Sequence, residues 1–205
     1  MIQTEDIMTY PFQKLQDAHL LNVATSSDGK LRGYTWGTGC GYNGYDYKLF
    51  MRRDGYIVNV DFESILRGEE KSFSYDEIQD FKFFTIPLDG KTYYLIQTHH
   101  MKAAGFLNSA NIALFTIEDE ELVKQTLFET SKELLHDIFI EYSWDDEGGT
   151  RNWLFDYDTK TNSIYVPLVG VELCPEALTD RYLIYKWNGK TFRYIGIDKH
   201  WSKKE

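Results

Sequence analysis

The sequence predicts an all-β fold, an antiparallel meander of hairpins closing into a barrel or a small, incomplete propeller. Three observations lead there. Asx-Gly pairs recur at Asp28-Gly29, Asp54-Gly55, Asp89-Gly90 and Asn188-Gly189. A two-residue type I′ turn needs positive φ at both central positions, and Asx followed by Gly meets that need with least strain. The flanking runs alternate apolar and polar residues, the period of a strand with one buried face. Finally, 15 Tyr and 13 Phe supply rings that favour pleated surfaces and bury large areas.

The elements follow in order. Residues 1–19 read as a leader of one or two turns, with Pro11 interrupting any helix. Leu20 to Thr25 and Leu31 to Trp36 pair around Asp28-Gly29. In the second run Leu31, Gly33 and Thr35 share one face, and Arg32, Tyr34 and Trp36 the other. Residues 37–44 are too glycine-rich for a strand interior and read as a loop. Asp46 to Arg52 pairs with Tyr56 to Phe62, and Ser64 to Ser74 forms a short helical turn. Asp80 to Ile86 pairs with Lys91 to Thr98, with Pro87 ending the first of these strands. Residues 99–110 read as a loop, and Asn111 to Ile117 resumes a strand. Residues 118–142 carry both helical and strand spacings. Strands over 122–128 and 136–143 are preferred, because Phe139 and Tyr142 favour extended structure. Trp153 to Tyr157 pairs with Ser163 to Leu168, and Arg181 to Trp187 with Thr191 to Ile197. Residues 199–205 are a tail. Low-complexity linkers are absent, so residues 1–205 are read as a single domain.

Composition bounds the function. A formal charge of −10 and a pI near 5.0 argue against nucleic-acid binding, which needs a basic surface. The chain lacks an apolar run of about 18 residues, so a membrane-spanning helix is not expected. Met1 to Gln16 lacks the cationic start and apolar core of a signal peptide, which fits a cytoplasmic chain and a mature exported one alike. Cys40 and Cys174 belong to no CxxC pair. They read as unpaired thiols in preference to a disulfide, and a zinc site of that kind is unsupported.

Two hairpins, FDYDTKTNSIYVPL (155–168) and LIYKWNGKTFRYIG (183–196), resemble the outer hairpins of β-propeller blades in exported bacterial proteins. The stretch SSDGKLRGYTWGTGCG (26–41), with its Tyr-x-Trp-x-Thr-Gly run, is similar to uncharacterised exported β-rich proteins of gut bacteria. The resemblance implies no activity. It implies a periplasmic or secreted origin in preference to a cytoplasmic one.

The leading candidate site is the aromatic, glycine-rich loop. Trp36, Tyr42 and Tyr45 would stack on a sugar ring or an apolar ligand, and Asn43 and Asp46 would supply hydrogen bonds. Glycines between them let backbone approach a ligand closely. The GxG spacing is not a dinucleotide fingerprint, because no βαβ unit follows it. The expected function is therefore a non-catalytic binding module for a glycan or peptide, with no cofactor and no metal. One alternative is a glycan hydrolase using carboxylates within 145–158, where Asp145, Asp146, Glu147, Asp156 and Asp158 lie. Calcium binding by the same acids lacks the EF-hand pattern. A second alternative is an inhibitor or immunity-type protein whose acidic surface meets a basic partner. His99-His100 is a poor metal pair, since adjacent strand residues point to opposite faces. GxSxG, P-loop and HExxH motifs are absent.

Overall fold

The computed structural model describes residues 7–39, 44–67, 78–101, 107–143, 154–170 and 177–198. The chain is mostly β and almost wholly antiparallel. After a short helix α1 (Gln13–Asp17), the first sheet takes β1 (Asn22–Thr25), β2 (Leu31–Gly37), β3 (Tyr45–Arg53) and β4 (Tyr56–Val60) in chain order. Helix α2 (Phe62–Arg67) leads to a second sheet of β5 (Ile78–Leu88), β6 (Lys91–Met101), β7 (Leu107–Glu118) and β8 (Glu121–Gln125). The chain then visits the third sheet with β9 (Phe128–Glu129) and β10 (Leu134–Leu135). It returns to the second as β11 (Asp137–Ser143), and ends in the third with β12 (Asp156–Asp158), β13 (Ser163–Gly170), β14 (Ala177–Trp187) and β15 (Phe192–Asp198). Strand β7 carries two partners end to end along one edge. Its Leu114–Glu118 half pairs with β8 and its Leu107–Ala113 half with β11. The β9–β15 pairing is parallel.

The second sheet is the middle layer. One face packs on the first sheet through Leu31, Leu49, Met51, Phe81, Tyr94, Ile96, Ala113 and Phe115. The other packs on the third through Ile86, Leu95, Ala110, Ile112, Leu114, Val166, Tyr185 and Phe192. Even and odd residues of β7 thus feed different cores, as strand alternation requires. A register shift between Ile78 and Asp80 resets this alternation in β5, so Ile78 and Phe81 share one face and Asp80 turns to the other.

The five hairpins centred near residues 28, 54, 89, 160 and 188 are present. A sixth, β7–β8, turns at Asp119-Glu120 with φ of 48° and 64°. It carries the I′ backbone without glycine, which is why turn chemistry did not flag it. The expected loop over 99–110 is corrected: β6 runs to Met101 and β7 starts at Leu107. A strand covered on both faces loses the alternation by which strands are recognised. Pro87 does not end its strand either. It pairs with Thr92 on the sheet-edge strand β5, where a missing N–H is tolerated.

The layers touch closely. A Cβ added to Gly33 would stand 2.6 Å from Cδ2 of the buried Phe81 ring, so only glycine lets β2 approach β5 there. The leader is not detached. Arg32 donates to the carbonyls of Met8 (2.7 Å) and Tyr10 (2.6 Å), Tyr34 Oη donates to the Ile7 carbonyl, and Met8 is buried.

Candidate functional site

The fold separates its connections by length. Tight turns at Asp28-Gly29, Asp89-Gly90, Asp119-Glu120 and Asn188-Gly189 gather at one end, tied by Tyr94 Oη donating to Asp28 Oδ2 (2.7 Å) and Trp187 Nε1 donating to Asp89 Oδ2 (2.9 Å). Strand direction then sends the β2–β3, β6–β7 and β13–β14 connections to the opposite end. Thr35 Oγ1 (2.6 Å) and Asn22 Nδ2 (3.4 Å) both donate to the Gln79 carbonyl there, joining the first two sheets. Binding residues concentrate on longer connections held by a rigid scaffold, so this loop end is where a site is sought.

Trp36 and Asp46 are register partners on β2 and β3. They lie on the outer face of the first sheet with Arg32, Tyr34, Lys48 and Phe50. Trp36 is half-buried and Asp46 exposed. An aromatic row adjoins them: Phe50 to Tyr34 at 5.9 Å, Tyr34 to Phe12 at 5.8 Å and Phe12 to Tyr10 at 4.8 Å, all edge-to-face. Tyr10 at its far end is 55 % exposed. Tyr45 pairs with Gly37, which places it on the inner face with Tyr47 and Thr35. The expected platform is thus divided. Trp36 and Asp46 stand together, Tyr45 stands behind the sheet, and Tyr42, Asn43 and Cys40 lie outside the described residues.

Of the acidic segment, Asp145, Asp146 and Glu147 lie outside the described residues, as does Cys174. Asp158 accepts from Lys160 N and Thr161 Oγ1, each at 2.8 Å, and these bonds hold its carboxyl below the usual carboxylate range. Asp156 accepts from Tyr157 N at 2.8 Å. Asp158 thus shapes the turn, whereas Asp156 opens strand β12 opposite Tyr165.

Sequence reasoning missed a second group, on the face of the middle sheet that meets the third. His99 Nε2 and Tyr142 Oη are 2.5 Å apart, with ring centroids at 5.8 Å. The two residues stand on β6 and β11, separated by β7, and meet because the intervening residue is the fully buried Ala110. Burial, with a smaller contribution from neighbouring His100, lowers the His99 imidazole to about 4. A neutral ring then accepts the Tyr142 hydroxyl, and burial raises the phenol's own pKa. Asp80 is the register neighbour of His99, and burial raises its carboxyl to about 6 despite a hydrogen bond from Phe81 N (2.9 Å). Gln97, opposite Ile112, and Asn108, opposite Met101, lie on the same face on either side of the His99–Ala110 row. His100 points the other way, bonded to Thr98 Oγ1 at 2.9 Å, so the two histidines serve opposite faces. Among the described residues no group of three His, Cys, Asp or Glu side chains could hold a metal. The signal available in the sequence was Gln97-Thr98-His99-His100, four consecutive polar residues continuing a strand.

A cleft of about 340 Å³ lined by Lys30, Lys91, Tyr94 and Glu118 lies at the tight-turn end. No helix among the described residues is long and apolar enough to cross a membrane. No family model, no curated protein and no solved structure matches this chain.

Proposed function

We propose that the protein is a non-catalytic binding module that recognises a glycan at its loop end through Trp36 and Asp46. The observation carrying this reading is the cross-strand pairing of a half-exposed indole with an exposed carboxylate on one sheet face. An indole face stacks on the apolar face of a pyranose, and an adjacent carboxylate accepts from its hydroxyls. The aromatic row from Phe50 to Tyr10 continues the same face, with Tyr34 buried in its middle and Tyr10 exposed at its far end. A peptide would use the same indole, and a glycan array beside a peptide array separates the two.

The architecture is read in the same spirit. β1–β4, β5–β8 and β12–β15 are each four consecutive antiparallel strands. They pack face to face in chain order, the arrangement of blades in an incomplete propeller. The test of function is direct. Trp36→Ala, with unchanged circular dichroism, removes glycan binding, and Asp46→Asn weakens it. Full binding by Trp36→Ala refutes the assignment.

A further inference from the structure

The outer face of the first sheet is open along β3 and covered along β2. On β3, Asp46 and Lys48 are exposed and Phe50 is half-buried. On β2, Arg32 is 6 % and Tyr34 5 % exposed, and Trp36 alone emerges. The cover is the leader, residues 7–12. Its Ile7, Met8 and Tyr10 carbonyls accept from Tyr34 and Arg32. Met8 is buried, and the Phe12 ring stands edge-on to Tyr34 at 5.8 Å.

The fastening has features that oppose it. Burying a guanidinium is costly without a carboxylate beside it. Arg32 is held by two backbone carbonyls, and its Nε is buried with no partner among the described residues. Met8 belongs to neither of the two cores. Helix α1, which follows, buries no residue. Phe12 and His19, on either side of α1, take φ of 50° and 55°, a left-handed backbone that bulky side chains rarely adopt without strain. Lifting the leader returns water to Arg32 and lets both residues relax. It gives up the burial of one methionine and one aromatic edge contact. Opposed terms of this kind leave an open state within reach of a ligand.

What lies beneath matches what stands beside it. Tyr34 is the neighbour of Trp36 on this face, about 7 Å along the strand, and Arg32 comes next. A phenol ring and a fork of N–H donors in line with the indole continue one platform, with a second surface for stacking and further partners for hydroxyls.

We propose that residues 7–12 are an autoinhibitory strap. Closed over Tyr34 and Arg32, they restrict the site to the end of a glycan at Trp36, and a longer glycan binds by displacing them. This rests on the reading of Trp36 and Asp46 as a glycan site and adds the regulation of that site.

The test uses the full chain with its methionine methyl groups carbon-13 labelled. The probes are β-1,4-linked oligomers of glucose, mannose, xylose and N-acetylglucosamine, from monomer to hexamer. Calorimetry measures affinity, and the Met8 methyl signal, assigned by its loss in Met8→Lys, reports the strap. Met8→Lys sets an ammonium against the Arg32 guanidinium and opens the strap. Phe12→Ala removes the ring from Tyr34, leaves Met8 in place and opens it in part. In the wild type, a bound hexamer carries the Met8 methyl to the position of a solvent-exposed methionine, and the monomer leaves it unmoved. Met8→Lys binds the hexamer about ten- to thousandfold more tightly than wild type, the reciprocal of a minor-state population of roughly 0.1–10 %, and binds the monomer as wild type does. Phe12→Ala gives a smaller gain of the same sign, and decides the matter if Met8→Lys does not fold. Hexamer affinity that neither variant raises, or a Met8 methyl still buried with hexamer bound, overturns the strap and leaves the Trp36 site standing. Failure of all three chains to bind any oligomer overturns both.

Discussion

Asp80 and His99 make opposite demands on pH, and their separation is the sharpest test of the buried group. The Asp80 carboxyl moves from an ordinary 3.8 to about 6 on folding, so the folded state holds its proton more tightly than the unfolded one. Its stabilisation is complete below pH about 4 and is lost as pH rises through about 6. His99 moves from 6.5 to about 4, so the folded state favours the neutral ring. Its stabilisation is complete above pH about 6.5 and is lost as pH falls toward about 4. At about 1.4 kcal/mol per pH unit, each group contributes up to about 3 kcal/mol of pH dependence, with opposite sign. In the wild type the two slopes largely cancel between pH 4 and 6.5. The perturbation is to remove one at a time. Relative to wild type, Asp80→Asn gains stability as pH rises from 4 to 6, and His99→Gln gains stability as pH falls from 6.5 to 4. Urea unfolding at half-unit pH steps measures both, and differences from wild type remove the background of other carboxylates. Difference profiles that are flat, or that slope the same way, refute the assignment of these environments.

Other perturbations have equally definite outcomes. Gly33→Ala drives a methyl into the Phe81 ring and lowers stability by about 1–3 kcal/mol, and chemical denaturation of the double variant with Phe81→Leu recovers part of the loss. Glu120→Gly relieves a left-handed backbone held by a branched-free but bulky residue and raises stability by about 0.5–1 kcal/mol, despite losing the 3.0 Å bond from Tyr56 Oη; a lower denaturation midpoint would show the turn to be unstrained. Ala110→Val fills the space across which His99 reaches Tyr142. It parts the two rings and lowers stability by about 1–3 kcal/mol, read by urea unfolding; unchanged stability would show that the space is not closed by the pair.

Turn chemistry made the hairpins legible wherever glycine supplied the positive φ, as at Gly29, Gly55, Gly90 and Gly189. It failed at Asp119-Glu120, where two acidic residues take positive φ at both positions, as only Asp89-Gly90 does among the four Asx-Gly turns; at Gly29, Gly55 and Gly189 the glycine alone is left-handed. Periodicity worked for β3 in the first sheet, whose outer face keeps Asp46 and Lys48 exposed and Phe50 half-buried, while Arg32 and Tyr34 on the same face of β2 are buried under residues 7–10. It faltered from His99 to Ala110, because the middle layer buries both faces and Asn108, Ser109, Ala110 and Asn111 are all covered. The site divides along the same line. That Trp36 sits opposite the Leu31, Gly33 and Thr35 face follows from alternation alone. That Asp46 is its partner and Tyr45 is not depends on the β2–β3 register, which the length of a glycine-rich connection does not reveal.

The buried group was illegible for a deeper reason. Gln97, His99 and Asn108 look like the polar end of a strand running out into solvent, and only the third sheet covering them turns that polarity into a burden. A middle layer could be filled with apolar residues throughout, as Ile112, Leu114 and Leu95 fill its other half. Placing a carboxyl, an imidazole, a phenol and two amides in the half nearest the loops forgoes that packing at the end where longer connections gather. If stability alone governed the choice, replacing Gln97 by leucine would be nearly free of penalty or favourable. The stabilisation expected from Gln97→Leu is therefore a measure of what the fold concedes there, and a variant that melts lower than wild type would show that the amide is paired in solution.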